Sequence, residues 1–299
     1  MKSRFFIIFL CLFVSSFLSA KIEKKIYDLK DDPLDVVIVI HPKDKKVLEP
    51  CIAGIRENCQ NVRRIIVVSP EKLTDNAEWF DEKNYPFSYK DVGIEVANGC
   101  GKTVKEFFKN HNRGPGWYLQ QLLKLYAAFV IPDISSNVLI VDGDVIFLRP
   151  VSFLNESNGG LFCTSRIEPK KHYIRHAKKL VPDYKRMNPD EYSVCHHMLF
   201  QRPILEDLFQ TVENYQGEEF WKAFCHCVKF MREKNASEYE IYYSFALSHT
   251  DQVAIRHLRW TNSGKIKLKE KFRKQGYHFV GFHDYLEKKN IAEGKLGHE

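Results

Sequence analysis

The chain has 299 residues, 44% of them hydrophobic, with 45 Lys and Arg against 38 Asp and Glu for a net charge of +7. That length and apolar content exclude a disordered chain and allow one large domain or two small ones around a sizeable core. The basic residues are densest at Lys43–Lys46, Lys170–Lys179 and Lys265–Lys274; with no nucleic-acid-binding motif beside them, these runs read as solvated faces or as attraction for diphosphates, acidic glycans or an anionic membrane surface, not as a nucleic-acid site.

The first twenty residues carry Lys2 and Arg4, an apolar stretch from Phe5 to Leu18, and Ser19-Ala20 before the charged Lys21-Ile22-Glu23-Lys24-Lys25. This is the layout of a secretory signal peptide cleaved after Ala20, which predicts a protein that is secreted, periplasmic or in a secretory lumen. The stretch is shorter than the roughly 20 residues of a spanning helix, so an uncleaved N-terminal anchor is the alternative. Cys11 lies in this leader, and Cys51, Cys59, Cys100, Cys163, Cys195, Cys225 and Cys227 follow it. Seven is odd, so at least one thiol is unpaired if the others bridge. Export permits disulfides, while the apolar settings of several of these residues suit buried thiols. Asn155-Glu-Ser and Asn235-Ala-Ser are glycosylation sequons, relevant only in a eukaryotic secretory route.

Val36-Val-Ile-Val-Ile40 is an apolar run of buried-strand type, followed by His41-Pro-Lys-Asp44 and an amphipathic helix over about Val47 to Asn58. Arg64-Ile-Ile-Val-Val-Ser69 gives a second strand, so the chain opens with a β-α-β unit and a parallel sheet. Val92-Gly-Ile-Glu-Val96 reads as a third strand and Thr103 to Lys109 as a short helix, with a turn at Arg113-Gly-Pro-Gly116. Trp117 to Val130 is predicted as a helix burying Leu119, Leu122, Leu123, Tyr126 and Phe129, with Gln120, Gln121 and Lys124 partly off that face.

Val138 to Pro150, VLIVDGDVIFLRP, is the stretch around which the chain is organised. Four apolar residues make a strand buried on both faces, and it ends where Asp142 and Asp144 begin. Ligands of open α/β sheets collect at the carboxyl ends of strands. In extended backbone the two carboxylates share a side, and Gly143 lets the chain turn or a ligand approach. Oxygen ligands of this kind suit Mn²⁺ or Mg²⁺. The competing reading is an Asp-Gly turn joining two hairpin strands.

Beyond it, Gly159 to Thr164 is predicted as a strand, Lys170 to Leu180 as a basic helix and Ser193 to Phe200 as a strand. Adjacent His196 and His197 in a strand face opposite sides, so one of the two can look into a pocket. Cys195-His196-His197 with Cys225-His226-Cys227 invites a zinc reading, but neither has the two-residue gap of a zinc knuckle. Pro203 to Glu233 reads as two amphipathic helices. Ser237 and Glu240 fit a capping box that opens a helix over Ile241 to Leu247, which leaves Glu238 free at its first turn. Val253 to Leu258 and His278 to His283 are late strands around a polar, Lys-rich excursion from Thr261 to Lys274.

The Asp-Gly-Asp motif closing a strand resembles that of the metal-dependent nucleotide-sugar glycosyltransferases of the GT-A fold. Gly116-Trp117-Tyr118-Leu119-Gln120-Gln121-Leu122-Leu123-Lys124-Leu125, Cys195-His196-His197-Met198-Leu199-Phe200 and Ser237-Glu238-Tyr239-Glu240 look like an uncharacterised, largely bacterial branch of that fold, over about Val36 to Tyr285. The resemblance implies a single α/β domain over residues 34–288, with a mostly parallel, Rossmann-like sheet flanked by helices and a polar tail at 289–299. It implies that Asp142 and Asp144 bind the cation, with His283 completing the metal site and His278 as the second candidate. It places His41, Lys43 and Asp44 near the nucleotide, Gln120, Gln121 and Lys124 beside the sugar-nucleotide, and His197 in the pocket. Glu238 or Glu240 would act on the acceptor. The expected partners are a nucleotide-sugar donor and a glycan, lipid or protein acceptor. Two other classes remain: a nucleotide- or glycan-binding protein of the same fold without turnover, and a metal-dependent phosphoesterase, which would want more His and Asp ligands.

Overall fold

The computed structural model describes residues 22–106, 115–165, 171–229, 234–283 and 286. The expected leader at 1–20, the tail at 289–299, the second half of the Thr103–Lys109 helix and the first half of the Arg113–Gly116 turn lie outside them. Among the described residues no helix is long and apolar enough to cross a membrane.

The centre is a five-stranded sheet of order β3-β2-β1-β4-β7, formed by β1 (Leu34–Val39), β2 (Val62–Ser69), β3 (Glu78–Asp81), β4 (Asn137–Asp142) and β7 (His197–Gln201). β1 pairs in parallel with β2 and β4, and β2 with β3; β7 runs antiparallel to β4. All six residues of β1 are buried, because both faces of the sheet are covered. Alternate residues divide between two cores: Val37, Val39, Ile66, Val68, Val138 and Ile140 face one, and Val36, Ile38, Ile65, Val67, Leu139 and Val141 face the other. The buried Asp35 carboxylate at the start of β1 is held by Arg63 and by the Ser135 amide.

α1 (Leu48–Asn58) connects β1 to β2 and buries Leu48, Cys51, Ile52 and Ile55 as its spacing predicts. It lies so close to β5 (Val145–Phe147) that a Cβ on Gly54 would meet the Phe147 carbonyl oxygen at 2.9 Å. β5 belongs to a second sheet of order β5-β10-β9, with β9 at Trp260–Ser263 and β10 at Phe279–Phe282. β6 (Leu161–Cys163) and β8 (Ala254–Arg256) form a short parallel pair. β4 and β5 therefore enter different sheets, and Asp142-Gly143-Asp144 is the passage between them, not a hairpin turn.

The other face is covered by α2 (Tyr89–Gly99), α3 (Gly116–Val130), α5 (Arg202–Gln216), α6 (Phe220–His226) and α7 (Glu238–His249), with α4 (Lys171–Leu180) beside α7. α2 replaces the strand expected over Val92–Val96. The Ser88 hydroxyl accepts from the Asp91 amide and the Asp91 carboxylate accepts from the Ser88 amide, a capping box that starts a helix whose buried face includes Val92 and Val96. α3 is buried on more than one face: Gln121 and Lys124 are inside with Tyr118, Leu122 and Leu125, against the expectation that they sit off the apolar stripe. The late polar excursion holds β9 and α8 (Lys269–Lys274). The seven cysteines among the described residues are free thiols.

Candidate active site at the tip of the fourth strand

β1 and β4 are in register through Val39 and Asp142, so the tip of β4 and the loop after β1 share the carboxyl end of the sheet. Gly143 is not among the left-handed glycines; its contribution is space, since a Cβ there would meet Ile40 Cδ1 at 2.7 Å. The turn it permits brings oxygens of Asp142 and Asp144 within 4.8 Å of each other and of a His196 ring nitrogen.

Each carboxylate has its own set of partners. Lys124 Nζ, from α3, donates to Asp142 Oδ1 at 2.5 Å and to Glu238 Oε1, at the start of α7, at 2.6 Å. Tyr239 OH donates to Asp142 Oδ1 at 3.1 Å, and the ammonium lies 4.7 Å from the centre of the Tyr239 ring. His196 Nδ1 is 3.3 Å from Asp142 Oδ2, and the Asp142 amide donates to the His196 carbonyl. On the other side, His283, just past β10, places Nδ1 2.8 Å from Asp144 Oδ2. The two imidazoles are 5.1 Å apart between ring centres.

Burial alone would push the Asp142 carboxyl up, but the Lys124 ammonium and His196 hold it well below the usual carboxylate range. Burial would strip Lys124 of its proton, and Asp142 and Glu238 together keep it charged, above the ordinary lysine value. Glu238 is raised: its burial outweighs the attraction of Lys124, and the Asp142 charge adds to the rise. Burial would lower His196, but its hydrogen bond to Asp142 and the charges of Asp142 and Asp144 together raise it. Asp142 and Glu238 share one ammonium and Asp144 adds a third carboxylate, so the cluster has anionic charge to offer a divalent cation, and its oxygen and imidazole donors suit Mn²⁺ or Mg²⁺.

Several expected residues stand elsewhere. His197 does not face the pocket: its ring packs among Phe147, Phe153 and Phe279, and burial lowers it to about 3. β7 begins only at His197, and His196 precedes it in a left-handed conformation, φ 69°, which turns its ring toward Asp142. Glu238 is not free but 1% exposed and paired with Lys124. Glu240 is equally buried; its carboxylate accepts from Tyr184, Ser193 and Ser244, so only the Ser237 half of the capping box forms, and neither glutamate is open to an acceptor. Gln121 donates to the Trp117 carbonyl within its own helix. Gln120 is half-buried and reaches the Val39 carbonyl, at the correct end of the sheet. His41 and Lys43 are exposed in the 3₁₀ turn after β1, where His41 caps by accepting from the Lys43 amide. His278 accepts from the Arg259 amide and takes no part in the cluster. His226 is held by Glu95 and Glu218.

Sequence reasoning missed His196 and Tyr239 as partners of Asp142, although both stand inside motifs it had singled out. It also missed a cleft of about 370 Å³ lined by Asn262, Ser263, Gly264, Lys265, Leu268 and Leu286. This cleft adjoins the cluster, since the His283 amide donates to the Ser263 carbonyl and a Cβ on Gly281 would touch both Asn262 and His196.

Among solved structures, the apo form of mouse xyloside xylosyltransferase 1 is similar at 12% identity and a TM-score of 0.40, with 84% of this chain and 99% of that chain covered. No curated protein matches the sequence. A family of unknown function, DUF6492, matches residues 54–276, well over half of the chain, and the protein belongs to that family.

Proposed function

We propose that the protein is a metal-dependent glycosyltransferase that moves a sugar from a nucleotide-diphosphate donor to an acceptor hydroxyl. One observation carries the reading: Asp142, Asp144, His196 and His283 converge at the carboxyl end of a mostly parallel sheet, beside a cleft that contains Lys265. The resemblance of the Asp-Gly-Asp stretch to the GT-A transferases supports the same choice.

Asp142, Asp144 and His196 or His283 would hold Mn²⁺ or Mg²⁺, which supplies a Lewis acid for the charge that develops on the leaving diphosphate. Lys124 fixes the Asp142 carboxylate in place, and Glu238 fixes Lys124. Lys265 lines the cleft and offers a cation to the donor phosphates. Gln120 and the exposed Lys43, at the end of β1, stand where the nucleotide would pass. The acceptor, a glycan, lipid or protein, would enter from the remaining open side. The leader implies export, so the donor would be met in a lumen or host compartment that supplies it.

The test is a thermal-shift panel of nucleoside diphosphates and nucleotide-sugars with Mn²⁺, Mg²⁺ or EDTA, because a ligand of the native state raises its apparent stability. One nucleotide should stabilise the protein only with the cation, and Asp144→Asn should remove that shift and lower transfer at least about 100-fold. Retained transfer in Asp144→Asn sinks the metal assignment. Absence of any nucleotide shift favours a glycan-binding or phosphoester-cleaving protein.

A further inference from the structure

Beneath the acidic cluster the chain assembles a second set of donors of a different chemical kind. Cys163 closes β6, Cys195 stands two residues before β7 and His197 opens β7. Their two sulfurs and a His197 ring nitrogen lie within 4.8 Å of one another, and all three residues are at most 2% exposed. The imidazole is boxed edge-on by three aromatic rings, Phe147, Phe153 and Phe279, at 4.7 to 5.7 Å between centres.

Among the described residues neither ring nitrogen of His197 closes a well-formed hydrogen bond, although the Cys195 carbonyl stands near the ring. A neutral imidazole brings one N–H and one lone pair, and burying both unsatisfied costs a few kcal/mol, whereas a phenylalanine would fill the same box at no such cost. A buried polar group of this kind needs a partner that the protein chain does not supply. The sulfurs beside it identify what sort of partner fits.

We propose that Cys163, Cys195 and His197 bind a cuprous ion in a buried structural site, distinct from the Asp142 and Asp144 cluster. Thiolates select soft cations, Cu⁺ or Zn²⁺, and disfavour Mg²⁺ and Mn²⁺. Metal–sulfur distances of about 2.3 Å and metal–nitrogen distances of about 2.0 Å require donors roughly 3.5–4 Å apart, a small contraction of the present triangle. Each thiol releases its proton to solvent as its sulfur–metal bond forms, and Cys195 then gives up the hydrogen bond it donates to the Cys163 carbonyl.

Charge and donor number favour copper over zinc. Two thiolates and a neutral imidazole around Cu⁺ leave one negative charge. Arg256 supplies its complement: it pairs with Cys163 across β6 and β8, its guanidinium lies 5.1 Å from the centre of the Phe153 ring, and while Nη1 donates to the Ser152 carbonyl, Nε and Nη2 are buried without partners among the described residues. Around Zn²⁺ the same donors sum to zero, leaving Arg256 uncompensated, and structural zinc takes four protein ligands where this set offers three. The site would also serve its neighbour, because Cys195 and His197 flank His196 and pin the left-handed segment that aims its ring at Asp142.

The full chain, reduced and loaded with Cu⁺ as its acetonitrile complex, is freed of excess ion by gel filtration and assayed for copper by atomic emission. One equivalent should remain on the wild type and on Asp144→Asn, raise the melting temperature of both, and be absent from Cys163→Ser and from His197→Phe. The His197→Phe ring fills the aromatic box, so its far-ultraviolet circular dichroism and cooperative melt keep the result readable if the serine variant fails to fold. Copper retained equally by His197→Phe overturns the proposal, as does one equivalent of Zn²⁺ held in preference to Cu⁺. A Cys163–Cys195 disulfide in protein that takes up no metal overturns it as well.

Discussion

Asp142 and Asp144 stand two residues apart on one turn and meet opposite environments. Asp142 is gripped by Lys124, Tyr239 and His196, and its main cation is 3% exposed. Asp144 has His283 as its partner and keeps about a third of its side chain in solvent, 34%. One carboxylate is thereby built into the packing of α3 and α7, while the other is left available to a ligand. In the proposed site the motif would divide the work: a fixed post on the sheet and an accessible donor beyond the glycine.

The strongest way to break the fixed side is Lys124→Ala. It leaves Asp142 and Glu238 buried without their shared cation, and removing one partner of a buried ion pair costs about 3–5 kcal/mol. Urea unfolding should show that loss; a change below about 1 kcal/mol would mean the ammonium is not the organising charge. Glu238→Gln keeps the shape and removes one carboxylate, with an expected loss of about 1–3 kcal/mol from the weakened hydrogen bond to Lys124. Asp144→Asn should cost at most about 1 kcal/mol, since its pair with His283 is partly solvated. If Asp144→Asn proved as costly as Lys124→Ala, the contrast between the two carboxylates would disappear.

Much of this frame is legible in the sequence because it depends on local pattern. Apolar runs of strand length mark β1, β2 and β4, and Asp142 ends such a run, so its place at the sheet tip follows without tertiary information. His283 enters as a candidate only through the resemblance to the GT-A transferases, with His278 beside it, since no local pattern ties it to Asp144, 139 positions away. Val92 to Val96 was misread because Val92 and Val96 are also one helical turn apart, and only the Ser88 and Asp91 cap decides between the two. The histidine pair is expected to face opposite ways as neighbours in one strand, with His197 in the pocket, but β7 begins at His197, and the rings are set by the left-handed turn at His196 and by the pairing of Val141 with His197. Lys124 reads only as a residue partly off the apolar face of its helix, because its partners lie 18 and 114 positions away. Long-range charge pairing leaves no periodic trace.

The finest test of the fixed side uses pH. Burial lowers the affinity of His196 for a proton, and its hydrogen bond to Asp142 together with the charges of Asp142 and Asp144 more than restores it, so the imidazole is raised in the folded protein. A raised histidine gives stability that is complete below the ordinary imidazole value, about 6.5, and is lost as pH rises through the folded value. In EDTA, the urea midpoint of the wild type should therefore fall from the acid to the alkaline side of that range relative to His196→Gln, which keeps a polar side chain that does not titrate. The expected difference is of order 1 kcal/mol or less, the smallest of the series. Parallel pH profiles would mean that His196 does not bind its proton through Asp142, which would leave Lys124 as the cation that defines the fixed carboxylate.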